Sequence, residues 1–110
     1  MGGGTGRART RDIGVTRNEI EDRWFELTRQ ALPAVAKERG WPVRFDHCFQ
    51  RILLDNACGK PWREAIAAPA YRNAGEDVLG EAIALGKAAM RGEADLGTLN
   101  RRSLELRGKL

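Results

Sequence analysis

The residue types best suited to chemistry crowd into positions 45–62, FDHCFQRILLDNACGKPW, which hold the only histidine and both cysteines of the 110-residue chain. Within this stretch His47, Arg51 and Asp55 recur every four residues, so on a helix they stack as a polar row along one side. Two chemistries follow from that row. If it borders a pocket, Arg51 fixes an anion and His47 moves a proton. If it does not, His47 is a partly exposed first-turn residue and Arg51 simply pairs with Asp55. Arginine N-terminal to aspartate is the poorer orientation on a helix, so such a pair contributes only roughly a few tenths of a kcal/mol.

Charges beside the apolar run of Cys48, Phe49, Ile52, Leu53 and Leu54 must be paired or used. Further candidates for the same groove are Asn56 on the same helix, Trp62 and Tyr71 beyond it, and Asn100 and Arg102 near the C-terminus. Arg51 would hold a carboxylate or phosphate, Asn56 would orient it, and the aromatic rings would supply apolar area. The competing use of these side chains is an internal polar network that sets how the helices pack.

The elements that must position them are helical. Asp46 is suited to cap a helix over 47–58, and Gly59 is suited to the left-handed residue that ends it. Pro61 then starts the chain afresh. Upstream, Thr16 and Glu19 have capping-box spacing, and Val15 with Ile20 matches a hydrophobic staple. The helix that follows places Ile20, Trp24, Leu27, Ala31 and Val35 on one face, widened by Phe25 and Leu32. Pro33 should kink or divide it, and Gly40 ends it.

The segment 41–44 is extended because Trp41 precedes a proline. Residues 61–66 allow one or two helical turns, and 67–71 form a loop over the core in which Tyr71 serves a structural hydrogen bond. Asn73, with Glu76 at the reciprocal position, is the candidate cap of the next helix, which Gly92 ends. Gly80 and Gly86 inside it suggest close approach of another helix. A last helix starts at Asp95 with Leu96, Leu99, Ser103 and Leu106 inward, before a basic tail at 107–110. The expected architecture is all-α: a compact bundle of four main helices over 15–110, behind a disordered Gly/Arg-rich arm over 1–14.

Composition narrows the function classes. A hydrophobic fraction of 42% and a charged fraction of 31% fit one folded domain. No apolar run approaches the ~20 residues needed to span a bilayer. The start, MGGGTGRARTR, has arginines but no apolar segment behind them, so no secretory signal is expected. The net charge of +4 is largely the arm: once Arg7, Arg9 and Arg11 are set aside, 16 basic residues face 15 acidic ones. On a helix Cys48 and Cys58 would lie about 15 Å apart, beyond the ~7 Å a disulfide allows. Free thiols and a reducing cytoplasm are expected. His47 and Cys48 are adjacent and point apart, so no zinc site and no cofactor are expected.

RFDHCFQRILLDNACG, PAYRNA and LNRRSLELRGK resemble a family of small bacterial proteins of about this length, many of which carry the label "GCN5-related N-acetyltransferase". The similarity runs roughly from Glu19 to Lys109. The label implies an α/β fold and an acetyl-CoA loop of the form Arg/Gln-x-x-Gly-x-Gly/Ala, cradling pyrophosphate at a helix start. The nearest segments here are 11–16, RDIGVT, and 72–77, RNAGED. Each departs at the last position, neither follows a strand pattern, and Glu76 and Asp77 would repel phosphate.

The residues by themselves support a binding or adaptor domain that takes a partner protein or a small anionic ligand beside the central helix. A second class is nucleic-acid binding through Arg7, Arg9, Arg11 and the basic C-terminus, although no helix carries a basic recognition face. An enzyme would have to draw on His47 with Asp55 or Cys48. Deleting residues 1–11 is expected to abolish any nucleic-acid affinity in a filter-binding assay while leaving the thermal midpoint unchanged; retained affinity would refute the arm as the contact.

Overall fold

The structure, a computed structural model, describes residues 16–110. Val15, with its proposed staple, and the arm arginines Arg7, Arg9 and Arg11 lie outside the described residues. Thr16 opens the first helix, α1 (Arg17–Glu26), with a complete capping box. Its hydroxyl accepts from the Glu19 N–H at 3.2 Å, and the Glu19 carboxylate accepts from the Thr16 N–H at 2.9 Å. Two N–H groups without helical partners are thereby satisfied. Those bonds hold the Glu19 carboxyl below its ordinary range.

Pro33 neither stops nor breaks the rod. The turn before it widens into a π-helical segment, π1 (Leu27–Ala31), in which the Leu32 N–H reaches back to the Leu27 carbonyl, and α2 (Leu32–Arg39) continues to Gly40. Proline lacks a donor and crowds the carbonyl four residues back, and a wider turn relieves that crowding locally. Thr28, inside π1, is fully buried yet satisfied: its hydroxyl donates to the Trp24 carbonyl at 3.0 Å and accepts from Gln50 Nε2 at 3.1 Å.

The central helix, α3 (Asp46–Cys58), buries Phe49, Ile52, Leu53 and Leu54 and ends on left-handed Gly59, at φ 72°. Its N-cap is Phe45, a correction to the expected Asp46. Asp46 sits one position inside, where its carboxylate still accepts from the His47 N–H at 2.8 Å. Two single-turn helices follow, α4 (Trp62–Ala65) and α5 (Ala70–Asn73), the second replacing part of the expected loop. Asn73 does not cap α6 (Glu76–Arg91), which opens at Gly75. Its amide donates instead to the Ala67 carbonyl at 3.0 Å. Asp95 caps α7 (Leu96–Leu106) as expected, accepting from the Thr98 N–H at 2.9 Å, and those contacts lower its pKa.

The described residues therefore form four main rods: α1–π1–α2, α3, α6 and α7. Central α3 packs against α6, α7 and π1. The ends of α2 and α6 are tied by Arg39, which donates to the Ala89 and Met90 carbonyls at 3.2 and 2.7 Å. The described residues form no strand, and none of their helices is long and apolar enough to cross a membrane.

Three elements meet at Gly86. A Cβ there would lie 2.6 Å from Leu27 Cδ2 and 3.1 Å from Leu53 Cδ1, both on buried side chains, whereas a Cβ on exposed Gly80 meets nothing within 4 Å. Of the two glycines expected to mark close approach, only Gly86 does so. Gly86→Ala is expected to destabilise the domain by about 1–3 kcal/mol through overpacking, while Gly80→Ala should stabilise it by up to ~1 kcal/mol. Urea titration of the two variants reads both signs.

Candidate functional site

The polar row of α3 is divided by its surroundings. Asp55 is completely buried and accepts four hydrogen bonds. Oδ1 takes the Trp62 N–H at 2.8 Å and Arg107 Nη2 at 3.1 Å. Oδ2 takes the Ser103 hydroxyl at 2.7 Å and Arg107 Nε at 2.6 Å. A carboxylate has room for about that many donors, so its desolvation is answered by a side-on guanidinium, a hydroxyl and a backbone amide. The ion-pair partner is thus Arg107, and the Arg51–Asp55 pair expected from spacing is not formed.

Arg51 instead spans to α7. Nη1 donates to Ser103 Oγ at 2.9 Å and Nη2 to Asn100 Oδ1 at 2.8 Å. Ser103 donates its own hydrogen bond to Asp55, so one hydroxyl links the two halves of the network. Asn56 completes the seam by donating to the Ile52 carbonyl at 2.8 Å and the Leu99 carbonyl at 2.9 Å. Asp55, Asn56 and Asn100 are therefore joints between α3 and α7. Arg51 is both a joint and a wall.

The wall belongs to a cleft of about 430 Å³ between α1, α3 and the 62–71 segment. His47, Gln50, Arg51 and Leu54 face it from successive turns of α3. Trp24 and Phe25 of α1, Trp62 and Arg63 of α4, Pro69 and Tyr71, and Arg107 after α7 close the rest. The Asp55 network also sets this wall, because the Trp62 N–H held by Asp55 is the first of α4. Arg17 fixes the other side. Its Nη2 donates to the Tyr71, Arg72 and Ala74 carbonyls at 2.8, 3.2 and 2.7 Å, while Glu21 holds its Nε at 3.0 Å.

Phe25 and Tyr71 meet edge to face with centroids 4.8 Å apart, and Arg63 lies over the Trp62 ring at 5.1 Å. The Tyr71 hydroxyl, expected to make a structural hydrogen bond, has no partner among the described residues. Among the described residues no acidic side chain lines the cleft. Among the described residues neither Arg51 nor Arg63 makes an ion pair.

No family model, curated protein or solved structure matches this chain.

Of the residues expected at the groove, Arg51, Trp62, Tyr71 and His47 border the cleft, the last only at its mouth. The His47 side chain is 77% exposed, stacks on Phe45 at 5.8 Å, and has Asp46 at 3.8 Å. Eight residues of helix, about 12 Å, separate it from Asp55, so the two form no proton-transfer dyad. Arg102 is exposed on α7 and does not reach in, a correction to its expected place. Cys48 and Cys58 are both free. Burial, and then the charge of Asp55, push the Cys58 thiol up, which makes it a poorer nucleophile.

Arg63, Arg107 and Gln50 are the polar cleft residues that spacing alone missed. Arg107 continues the helical spacing of Asn100 and Ser103, which face α3, but it lies past the end of α7 in what reads as a basic tail. Arg107→Ala leaves Asp55 buried without its cation, which should cost roughly 3–5 kcal/mol. The expected readout is a lowered urea midpoint together with faster amide exchange over 96–106; an unchanged midpoint would refute the assigned pairing.

Proposed function

We propose that this protein is a recognition domain that binds a small anionic ligand in the cleft beside α3. The observation that carries the proposal is Arg51: a half-buried guanidinium, steadied by Asn100 and Ser103, with neither a carboxylate partner nor an acidic side chain in the wall around it among the described residues. A cation taken partly out of water without a counter-ion is costly, and an incoming anion removes that cost. Because Asn100 and Ser103 already hold the planar fork, little side-chain freedom remains to be lost when a carboxylate or phosphate arrives.

The aromatic and aliphatic lining from Phe25, Leu54, Trp62, Pro69 and Tyr71 supplies area for the rest of the ligand, while the few polar groups orient it. Recognition rather than reaction is favoured by the position of the titratable groups. The histidine stands at the mouth, away from the buried carboxylate, and the Cys58 thiol is raised rather than activated.

Benzoate and inorganic phosphate, titrated at low salt and followed by amide NMR shifts, should perturb Gln50, Arg51, Trp62 and Tyr71 first. Arg51→Lys keeps the charge and loses the fork, and should weaken binding about tenfold. Affinity should also fall with added salt. Shifts confined to other surfaces, or none with either anion, would contradict the proposal.

A further inference from the structure

We infer that the ligand of this cleft is a phosphate monoester carried on a flat aromatic ring; the inference rests on the anion-binding proposal above and sharpens it. Charge supplies the first reason. Arg51, Arg63 and Arg107 all line the cleft, and among the described residues the one carboxylate that answers any of them is Asp55, bound to Arg107. Three guanidiniums against one carboxylate leave two positive charges for a ligand to meet. A carboxylate ligand brings one negative charge. A phosphate monoester brings about 1.5 to 2 at neutral pH, with three strong acceptor oxygens for planar guanidinium donors.

The wall supplies the second reason, independent of the first. Phe25, Tyr71 and Trp62 line the cleft beside the cations; Phe25 and Tyr71 meet edge to face at 4.8 Å, with Arg29 over the Phe25 ring at 4.0 Å and Arg72 over the Tyr71 ring at 5.4 Å. A bare phosphate would leave these rings facing water, whereas a ring on the phosphate covers them. Gln50 has its amide nitrogen engaged by Thr28, so its oxygen stays available as an acceptor, and the Tyr71 hydroxyl is available as donor or acceptor for substituents on that ring. The cleft, at about 430 Å³, suits a single ring system with its phosphate.

The phosphorylated side chain of tyrosine has this chemistry, its phosphate sitting directly on the ring; a nucleoside monophosphate carries its phosphate on the ribose, away from the base, and serves as the contrasting probe. Calorimetric titration of the full chain at low salt would compare phenyl phosphate, benzoate, inorganic phosphate, adenosine monophosphate and phosphotyrosine. Phenyl phosphate is expected to bind at least about tenfold more tightly than benzoate or inorganic phosphate. Arg63 is exposed and makes no hydrogen bond among the described residues, so Arg63→Ala should keep the fold and lower phenyl phosphate affinity about tenfold while affecting benzoate less. Tighter binding of phosphotyrosine than of phenyl phosphate supports the inference and names the source, whereas tighter binding of adenosine monophosphate than of either aryl phosphate overturns it. Benzoate or inorganic phosphate binding as tightly as phenyl phosphate overturns it and leaves the anion site standing. Failure of every anion to bind removes both.

Discussion

A carboxylate with no exposure to water must be surrounded by donors or it unfolds what encloses it, and the placement of Asp55 imposes that constraint on this domain. Four hydrogen bonds answer it, and each comes from a different part of the chain's architecture than α3 itself. Ser103 lies within α7, Arg107 lies just past its end, and the Trp62 N–H opens α4. The same charge thus docks the last helix and fixes where the 62–71 segment begins. Apolar packing around Phe49, Ile52, Leu53 and Leu54 supplies the larger share of cohesion but is indifferent to small rotations of the helices. Directional bonds to one buried group select a single arrangement.

That selection has a consequence for the cleft. Because Asp55 is taken up by Arg107, Arg51 one turn earlier is left with neutral partners, Ser103 and Asn100. The scaffold and the proposed site therefore share atoms: the hydroxyl that steadies Arg51 is the one that donates to Asp55. Ligand binding at Arg51 would be felt by α7 through Ser103 without any intermediate element. On the opposite wall Arg17 plays the comparable part, gathering the carbonyls of residues 71, 72 and 74 so that Tyr71 stands against Phe25.

Much of the fold was legible because its signals are local. The capping box at Thr16 and Glu19, the glycine stops after α2, α3 and α6, and the Asp95 cap each depend on residues within one turn of one another. Legibility failed where a distant group competed. Asn73 has the spacing of a cap, but the short helix α5 absorbs it and its amide goes to Ala67. Pro33 has the look of a break, but a π turn packed against Gly86 carries the rod through. At the site, spacing placed Arg51 and Asp55 on one side of α3 and in reach of α7. It assigned them to each other because Arg107, 52 residues away in sequence, sits in what reads as a basic tail. Arg102 went wrong by one step of helical angle: its neighbours Asn100 and Ser103 face α3, and it faces solvent.

The division of labour between the two arginines can be measured directly with paired double-mutant cycles in urea, one across Asp55 and Arg107 and one across Asp55 and Arg51. A coupling of roughly 2 kcal/mol or more is predicted for the first pair, with the second well below it. A coupling to Arg51 equal to or larger than that to Arg107 would mean that the guanidinium assigned to the ligand is the one holding the carboxylate, and would contradict the account.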